Sequence, residues 1–253
     1  MKGVVLAAGE GRRLRPLTEL LPKALCPVGN RPLLDRALER LHTATDDVAV
    51  NVHSHREQME QHLSACAPAV HVSVEPDELL GTAGAIGQLR EWIDGDAAVV
   101  TNVDALTTPD LSDLIDGWDG ERIRLLVAFD DRQPDFDGLW KYVGACVLPW
   151  SAVRDLEARP SHLFTERWQP AAEAGTLDLV PTRSFFTDCG TPLRYLGANL
   201  VVSGGTSVIS EDARVEGTVE ASVVWPGARV EAGEHLRFAI RLSDGRTVQP
   251  LAS

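Results

Sequence analysis

Four cationic side chains, Arg12, Arg13, Arg15 and Lys23, fall within one twelve-residue segment of a chain that is otherwise acidic. The whole sequence carries 24 Lys and Arg against 37 Asp and Glu, a formal net charge of −13, and Lys23 is one of only three lysines. A local cationic site on a negative background suits a small anion. The basic residues sit in the segment LAAGEGRRLRPLTELLPKALCPV, residues 6–28. Gly9 and Gly11 free the backbone to turn tightly and to aim N–H groups at an anion such as phosphate. Arg15 offers a planar, permanently charged fork for phosphate oxygens, and Lys23 a mobile point charge, so the two can hold different phosphates. Pro16 and Pro22 stiffen the loop beside them. The pattern is not a dinucleotide fingerprint, because the third glycine of G-x-G-x-x-G is missing, and no G-K-[ST] follows to make a Walker loop.

The same charge excludes other chemistries. An acidic chain is a poor partner for a nucleic-acid backbone, whose binding is driven by Lys and Arg displacing counterions, so no nucleic acid is expected. Four cysteines, Cys26, Cys66, Cys146 and Cys189, lie far apart without a C-x-x-C pair, which predicts reduced thiols and a cytoplasmic location. The apolar run Val4–Ala8 is cut short by Glu10, Arg12 and Arg13, too brief for the core of a signal peptide. No stretch reaches the ~20 apolar residues of a membrane span, so no membrane partner is expected.

The elements that must position these residues follow from periodicity. Lys2–Ala8 is a short apolar run rich in β-branched residues that ends at Gly9, the pattern of a buried parallel strand opening into a glycine loop. Residues 32–41 have apolar side chains at 33, 34, 37, 38 and 41, which is helical spacing. The alternation continues with strands near 48–52, 70–74 and 97–102 and helices near 56–65 and 83–92, which predicts a parallel sheet with helices on both faces. A polar, turn-rich stretch from Asp130 to Gly138 precedes a strand over 142–148 and a helix over 151–158, and a helix near 164–174 and short strands at 177–180 and 184–187 follow. Thr191-Pro192 opens a helix. Beyond Val201–Thr206 the period changes: Ile209, Val215, Val224, Val230 and Leu236 recur at spacings of six or nine with small or polar residues between. That is hexapeptide β-helix spacing, about two coils, or else an irregular β-hairpin tail. The expected division is a domain over residues 1–205 and a tail over 206–253, the tail too short to stand alone and offering a surface for a homo-oligomer.

With these residues in view, the chain resembles the sugar-phosphate nucleotidyltransferases, also called nucleotide-sugar pyrophosphorylases. Their opening signature, a strand and glycine loop followed by L-R-P-L-T and P-K-x-L-x-P, matches residues 6–27. The likeness continues through Leu80-Gly81-Thr82-Ala83-Gly84, Asn102-Val103-Asp104, Tyr142-Val143-Gly144 and Thr187-Asp188-Cys189-Gly190-Thr191-Pro192, and ends with the hexapeptide tail. Within the family it is most like the mannose-1-phosphate guanylyltransferases. The resemblance implies an α/β fold, Rossmann-like, with a mixed, mostly parallel sheet and a short C-terminal left-handed β-helix. It implies attack of a sugar 1-phosphate on the α-phosphorus of a nucleoside triphosphate, GTP favoured. Such a nucleophile is already anionic, which agrees with the absence of a Ser-His-Asp or Cys-His constellation.

What such a site must supply is neutralisation and alignment of two polyanions. Asp104, at the end of a predicted sheet strand, and Asp188, just before Gly190-Thr191-Pro192, are the carboxylates expected to bind Mg²⁺, a hard ion that takes one or two carboxylates and fills its shell with water and phosphate. By resemblance, Arg15 holds the pyrophosphate leaving group and Lys23 the phosphates near the reacting centre, making Arg15, Lys23, Asp104 and Asp188 the catalytic set. The nucleotide is expected on Leu6, Ala8, Gly9, Gly11, Arg12, Glu75, Gly81, Thr82 and Asn102. Glu75, facing a base with acceptors only, would suit the paired donors of guanine. Gly144, Glu166 and Arg167 are expected at the sugar phosphate.

The sequence departs from the family in two places. Asp131-Arg132-Gln133-Pro134 stands where many members carry E-K-P, and Asn102-Val103-Asp104 where many have N-G-D. Other readings are a uridylyl- or thymidylyltransferase, a catalytically idle nucleotide-sugar sensor, and a glycosyltransferase. The sensor would need none of the pyrophosphate-handling groups, and the glycosyltransferase lacks a D-x-D pair.

Overall fold

The computed structural model describes residues 1–75, 77–107 and 111–250. Packing groups them into two compact units, residues 1–10 with 34–186 and residues 11–33 with 187–253. This division does not follow the change of sequence period near residue 205: the basic loop and the helix that begins at Pro192 belong with the tail.

In the larger unit a seven-stranded sheet is built from β1 (Lys2–Leu6), β2 (Val48–Val52), β3 (His71–Val74), β4 (Ala98–Asn102), β5 (Ile123–Phe129), β6 (Trp140–Leu148) and β7 (Leu177–Pro181), in the order β7-β5-β6-β4-β1-β2-β3. All neighbouring pairs are parallel except those made by β6, which runs antiparallel to both β4 and β5. Helices α1 (Leu33–His42), α2 (Arg56–Cys66) and α3 (Gly81–Gln88) lie between the early strands. Alternate residues of a strand face opposite sides. Val4, Ala49, Val100, Leu125 and Val127 pack with Ala83, Ile86, Leu89 and Ile93, the α3 side. Gly3 and Val5 point the other way, where Leu41 of α1 lies 3.4 Å from the position a Cβ on Gly3 would take. Both faces are thus covered, as the β-α alternation predicts.

Several elements differ from the sequence reading. Strand β5, IRLLVAF, is passed over there, because a charged residue interrupts its apolar run; the Arg124 guanidinium in fact turns back to the carbonyls of Asp116 and Gly117 and leaves the strand buried. The predicted helix over 83–92 is two, Gly81–Gln88 and Arg90–Ile93. The predicted helix over 151–158 is a single turn, Trp150–Val153.

The smaller unit holds the basic loop as three 3-10 turns, Arg12–Leu14, Leu17–Glu19 and Lys23–Leu25. Helix α4 (Pro192–Val202) is capped by Thr191, whose hydroxyl accepts from the Arg194 N–H at 3.4 Å. The buried Tyr195 hydroxyl donates to the Pro27 carbonyl and accepts from the Trp225 indole N–H at 3.0 Å, tying loop, helix and tail together. In the tail, Val208–Ile209, Val223–Val224 and Ile240–Arg241 form one parallel ladder, Arg214–Val215 and Arg229–Val230 a second, and Thr218–Glu220 and His235–Arg237 a third. Val224, Val230 and Leu236 are buried as their spacing predicts, but Ile209 is 38% exposed and its neighbour Val208 is buried instead. No helix among the described residues is long and apolar enough to cross a membrane.

Candidate functional site

In the larger unit the expected residues gather at the carboxyl ends of the parallel strands, where ligands bind in open α/β sheets. Leu6 and Asn102 are register partners at the ends of β1 and β4, and the Val103 N–H donates to the Leu6 carbonyl at 3.1 Å. Gly9 follows in the exposed loop, with nothing within 4 Å of where a Cβ would stand. Asp104 is half-buried in the turn after β4.

Gly144, expected at the sugar, packs against that turn. Its φ is +87° and a Cβ there would lie 2.4 Å from the Ala105 Cβ, so only glycine allows β6 to approach so closely. Behind it, the buried Arg40 donates to the Thr101 hydroxyl, which donates to the Gly144 carbonyl at 3.2 Å. Burial pushes the Arg40 guanidinium down to about 10, against the raising influence of Tyr142. Burial first, then the neighbouring Cys146 and the Asp104 carboxylate, hold the Tyr142 phenol well above its ordinary value, while Arg40 pulls the other way.

Glu75 is not placed as the sequence suggests. It is 2% exposed, and its carboxylate accepts from the Asn51 amide at 2.7 Å and from the Leu80 N–H at 2.9 Å. Asn51 accepts in turn from the Ala7 N–H at 2.6 Å. A carboxylate so buried and engaged ties the glycine loop to the start of α3. The signal for Asn51 is a polar residue inside an otherwise apolar buried strand.

Gly81 and Thr82 are pinned as well. A Cβ on Gly81 would meet the Ser161 carbonyl at 2.4 Å, and the Thr82 hydroxyl accepts from the Leu163 N–H at 2.8 Å. Arg167, expected at the sugar phosphate, is instead spent within the protein: it donates to the Ala152 carbonyl at 2.7 Å, the Glu166 carbonyl at 2.7 Å and the Asp155 carboxylate at 2.5 Å. These bonds fold it back along the π-helical turn Phe164–Trp168. Glu166 is half-buried, and Arg159 donates to its Oε1 at 3.4 Å.

The smaller unit carries the cations. A Cβ on Gly190 would lie 2.6 Å from Asp188 Oδ1, 3.3 Å from an Arg13 terminal nitrogen and 3.6 Å from Lys23 Nζ. The Gly190 N–H donates to Asp188 Oδ1 at 2.9 Å, and Arg194 pairs with Oδ2. Arg194 thus pairs with the Asp188 carboxylate while Arg13 and Lys23 lie beside the same glycine, a local gathering of cations suited to phosphate oxygens. Lys23 and Asp188 both lie beside Gly190. Arg12, Arg13 and Arg15 are all exposed, and the Arg13 terminal nitrogen lies near Gly190. Arg194 was not foreseen; its signal is its place in the first turn of the helix after Gly190-Thr191-Pro192. Gly11 closes the loop with φ +62°, and its carbonyl accepts from the Thr18 hydroxyl at 2.9 Å.

Asp104 and Asp188 are hard oxygen donors of the kind Mg²⁺ takes. Among the described residues no group of three or more His, Cys, Asp or Glu could hold a metal without other ligands. Each carboxylate by itself is the kind of ligand that an ion held mainly by phosphate oxygens and water would take.

A mostly parallel α/β sheet with glycine turns at its carboxyl edge and a phosphate-type cation cradle defines a nucleotide-handling class of protein. The chain belongs to the nucleotidyl transferase family, whose model matches residues 2–132. Over 130 residues it is 36% identical to an N-acetylmuramate alpha-1-phosphate uridylyltransferase of Caulobacter vibrioides, covering 47% of this chain and 54% of that one. Over 227 residues it is 27% identical to a mannose-1-phosphate guanyltransferase of Candida albicans, covering 78% and 63%. The chain thus spans between half and two thirds of the length of these two relatives. Its fold is similar to that of HddC from Yersinia pseudotuberculosis in complex with GMP-PN, with a TM-score of 0.64, 19% identity and coverage of 79% and 99%. It is also similar to a UDP-glucose pyrophosphorylase from Acinetobacter baumanii, with a TM-score of 0.64, 18% identity and coverage of 79% and 92%.

Proposed function

We propose that this protein transfers a nucleotidyl group from a nucleoside triphosphate to a hexose 1-phosphate, releasing pyrophosphate. The observation that carries the reading is the cradle at Gly190, where Arg13 and Lys23 lie beside the glycine and Arg194 pairs with Asp188, in a chain of this family. In the proposed reaction an oxygen of the sugar phosphate forms a bond to the α-phosphorus while the bond to the β-phosphate oxygen breaks. The pyrophosphate leaves with its electron pair, and no general base is needed. Arg13 and Lys23 neutralise phosphate oxygens and hold them in line. Asp104 and Asp188 are the proposed ligands of Mg²⁺, which when bound supplies further neutralisation of phosphate charge.

GTP with mannose 1-phosphate is the first reading of substrates, supported by the long match to the guanyltransferase of Candida. Glu75, being buried and engaged, lends guanine no support. UTP with an amino-sugar 1-phosphate is the second, favoured by the higher identity to the uridylyltransferase of Caulobacter. The tail ladders support a proposal of about two β-helical coils, with a cytoplasmic, homo-oligomeric enzyme as the corresponding expectation. The test is pyrophosphate release across a grid of nucleoside triphosphates and sugar 1-phosphates with Mg²⁺. Release with one pair supports the reading. Release with none, together with a rise in melting temperature on adding a nucleotide-sugar, would replace it by the sensor.

A further inference from the structure

The pair Asn51 and Glu75 is a fully enclosed polar constellation of the larger unit, and the mechanism above assigns it nothing. Asn51 is 3% and Glu75 2% exposed. Buried polar groups are tolerated when their partners are present, and here they are. The Ala7 N–H can only donate, so it fixes the Asn51 oxygen toward β1 and sends the amide nitrogen toward Glu75. The Glu75 carboxylate accepts there and, through its other oxygen, from the N–H of Leu80 at the start of α3. A negative charge at a helix start is also favoured by the helix dipole. The backbone of Glu75 is held too: its N–H donates to the Val52 carbonyl at 2.9 Å, and its own carbonyl lies 2.6 Å from His53 Nδ1.

These bonds do not serve the sheet, whose register the main-chain ladders already set. They end on two loop amides, one directly before Ala8-Gly9 and the other directly before Gly81-Thr82. We infer that Asn51 and Glu75 are positioning residues that clamp these two turns at a fixed separation, so that the nucleoside part of the triphosphate is received by preset backbone and not by the Glu75 side chain. The inference rests on the transferase reading above. It goes beyond that reading in assigning nucleotide affinity to a polar pair too deeply buried to touch a ligand.

The chemistry of the clamp supplies its own test. Asn51→Asp keeps the acceptor for Ala7 but sets a carboxylate against Glu75. Glu75→Gln leaves one of two donors facing an amide N–H₂. In the double variant N51D/E75Q the central bond is reversed. The new amide at position 75 donates to the new carboxylate at position 51, and the total charge is unchanged. The Ala7 N–H still donates to that carboxylate, and the Leu80 N–H still donates to the amide oxygen. With pyrophosphate release as assay, each single variant is expected to raise KM for the nucleoside triphosphate by at least about tenfold. KM for the sugar phosphate should stay within about threefold, and amide exchange at Ala7 and Leu80 should quicken. The double variant should bring nucleotide KM and exchange back to within about threefold of the native protein. An unchanged nucleotide KM in the singles despite faster exchange, or a double variant no better than the worse single, would overturn the clamp. Should a single variant not fold, the double decides alone: a native-like nucleotide KM supports the inference and a raised one refutes it. Absence of turnover by the native protein with every substrate pair would overturn the transferase reading and the inference with it, a failure visible before any variant is made.

Discussion

At the scale of single residues, the candidate chemistry lies in side chains whose neighbours define them. Asp104 sits in a turn held from behind by Gly144 and by the chain Arg40, Thr101 and the Gly144 carbonyl. If Asp104 binds the metal, Asp104→Asn should lower Mg²⁺-dependent pyrophosphate release by about 100-fold or more while the melting temperature stays near native, because removing the charge at a half-exposed turn disturbs no packing. Near-normal turnover would refute its role. Gly190→Ala should also impair release, since the new methyl would start 2.6 Å from Asp188 Oδ1, and the carboxylate or the backbone must move. There the measurement is KM for both substrates; a variant with native constants would show that the cradle is not used. Arg13, Lys23, Asp104 and Asp188 were all within the segments that the sequence marks as chemical. Which arginine turns toward Lys23 was not legible, because consecutive side chains in a 3-10 loop point in different directions and only long-range packing selects among them.

At the scale of elements, α3 shows how tertiary contact overrides propensity. The segment GTAGAIGQ holds three glycines, which weakens an isolated helix. Yet a Cβ on Gly84 would lie 2.1 Å from the Arg159 carbonyl oxygen, and one on Gly87 2.4 Å from the Glu157 carbonyl carbon. Propensity alone predicts that Gly84→Ala stabilises the protein by up to about 1 kcal/mol. The contact predicts the opposite sign, a loss of roughly 1–3 kcal/mol from overpacking against backbone that cannot yield as a flexible side chain would. Denaturant unfolding of the variant decides between them. The sequence pattern reads residues 83–92 as one apolar helix, while the structure breaks it after Gln88.

At the scale of the whole molecule, burial and charge set the response to reagents and pH. Cys26, Cys146 and Cys189 are buried and Cys66 is exposed. Burial pushes the Cys26 thiol up to about 12, against the lowering influence of Lys23, and the Cys146 thiol up to about 12 as well. The native protein should therefore show a single fast thiol toward a disulfide reagent, Cys66, and four after denaturation; two or more fast thiols in the native state would contradict the packing. Backbone hydrogen bonds hold the carboxyls of Asp119, Asp130 and Asp244 below their ordinary value, and a bond from Arg241 does the same for Glu234. In the unfolded chain these groups take up protons at a higher pH than in the folded one. Their contribution to stability is then present above the ordinary carboxylate range and is lost as pH falls through their depressed folded values. Urea midpoints should accordingly drop between about pH 6 and pH 3, and a flat profile would contradict it.

The sequence by itself determined what local chemistry and periodicity can carry: the basic glycine loop, the β-α alternation, the capped helix after Thr191 and the change of period beyond it. Each of these depends on neighbours within a few residues, so the pattern is written along the chain. Only the tertiary structure decided that Glu75 is buried and tied to Asn51 and Leu80, that Arg167 folds back on Ala152 and Asp155, that Arg194 pairs with Asp188, and that the basic loop belongs with the tail. In several of these cases the deciding partner lies outside the local segment, as Asn51 does for Glu75. A side chain's hydrogen bonds are chosen by what folding brings beside it, and residue type fixes only what it can donate or accept.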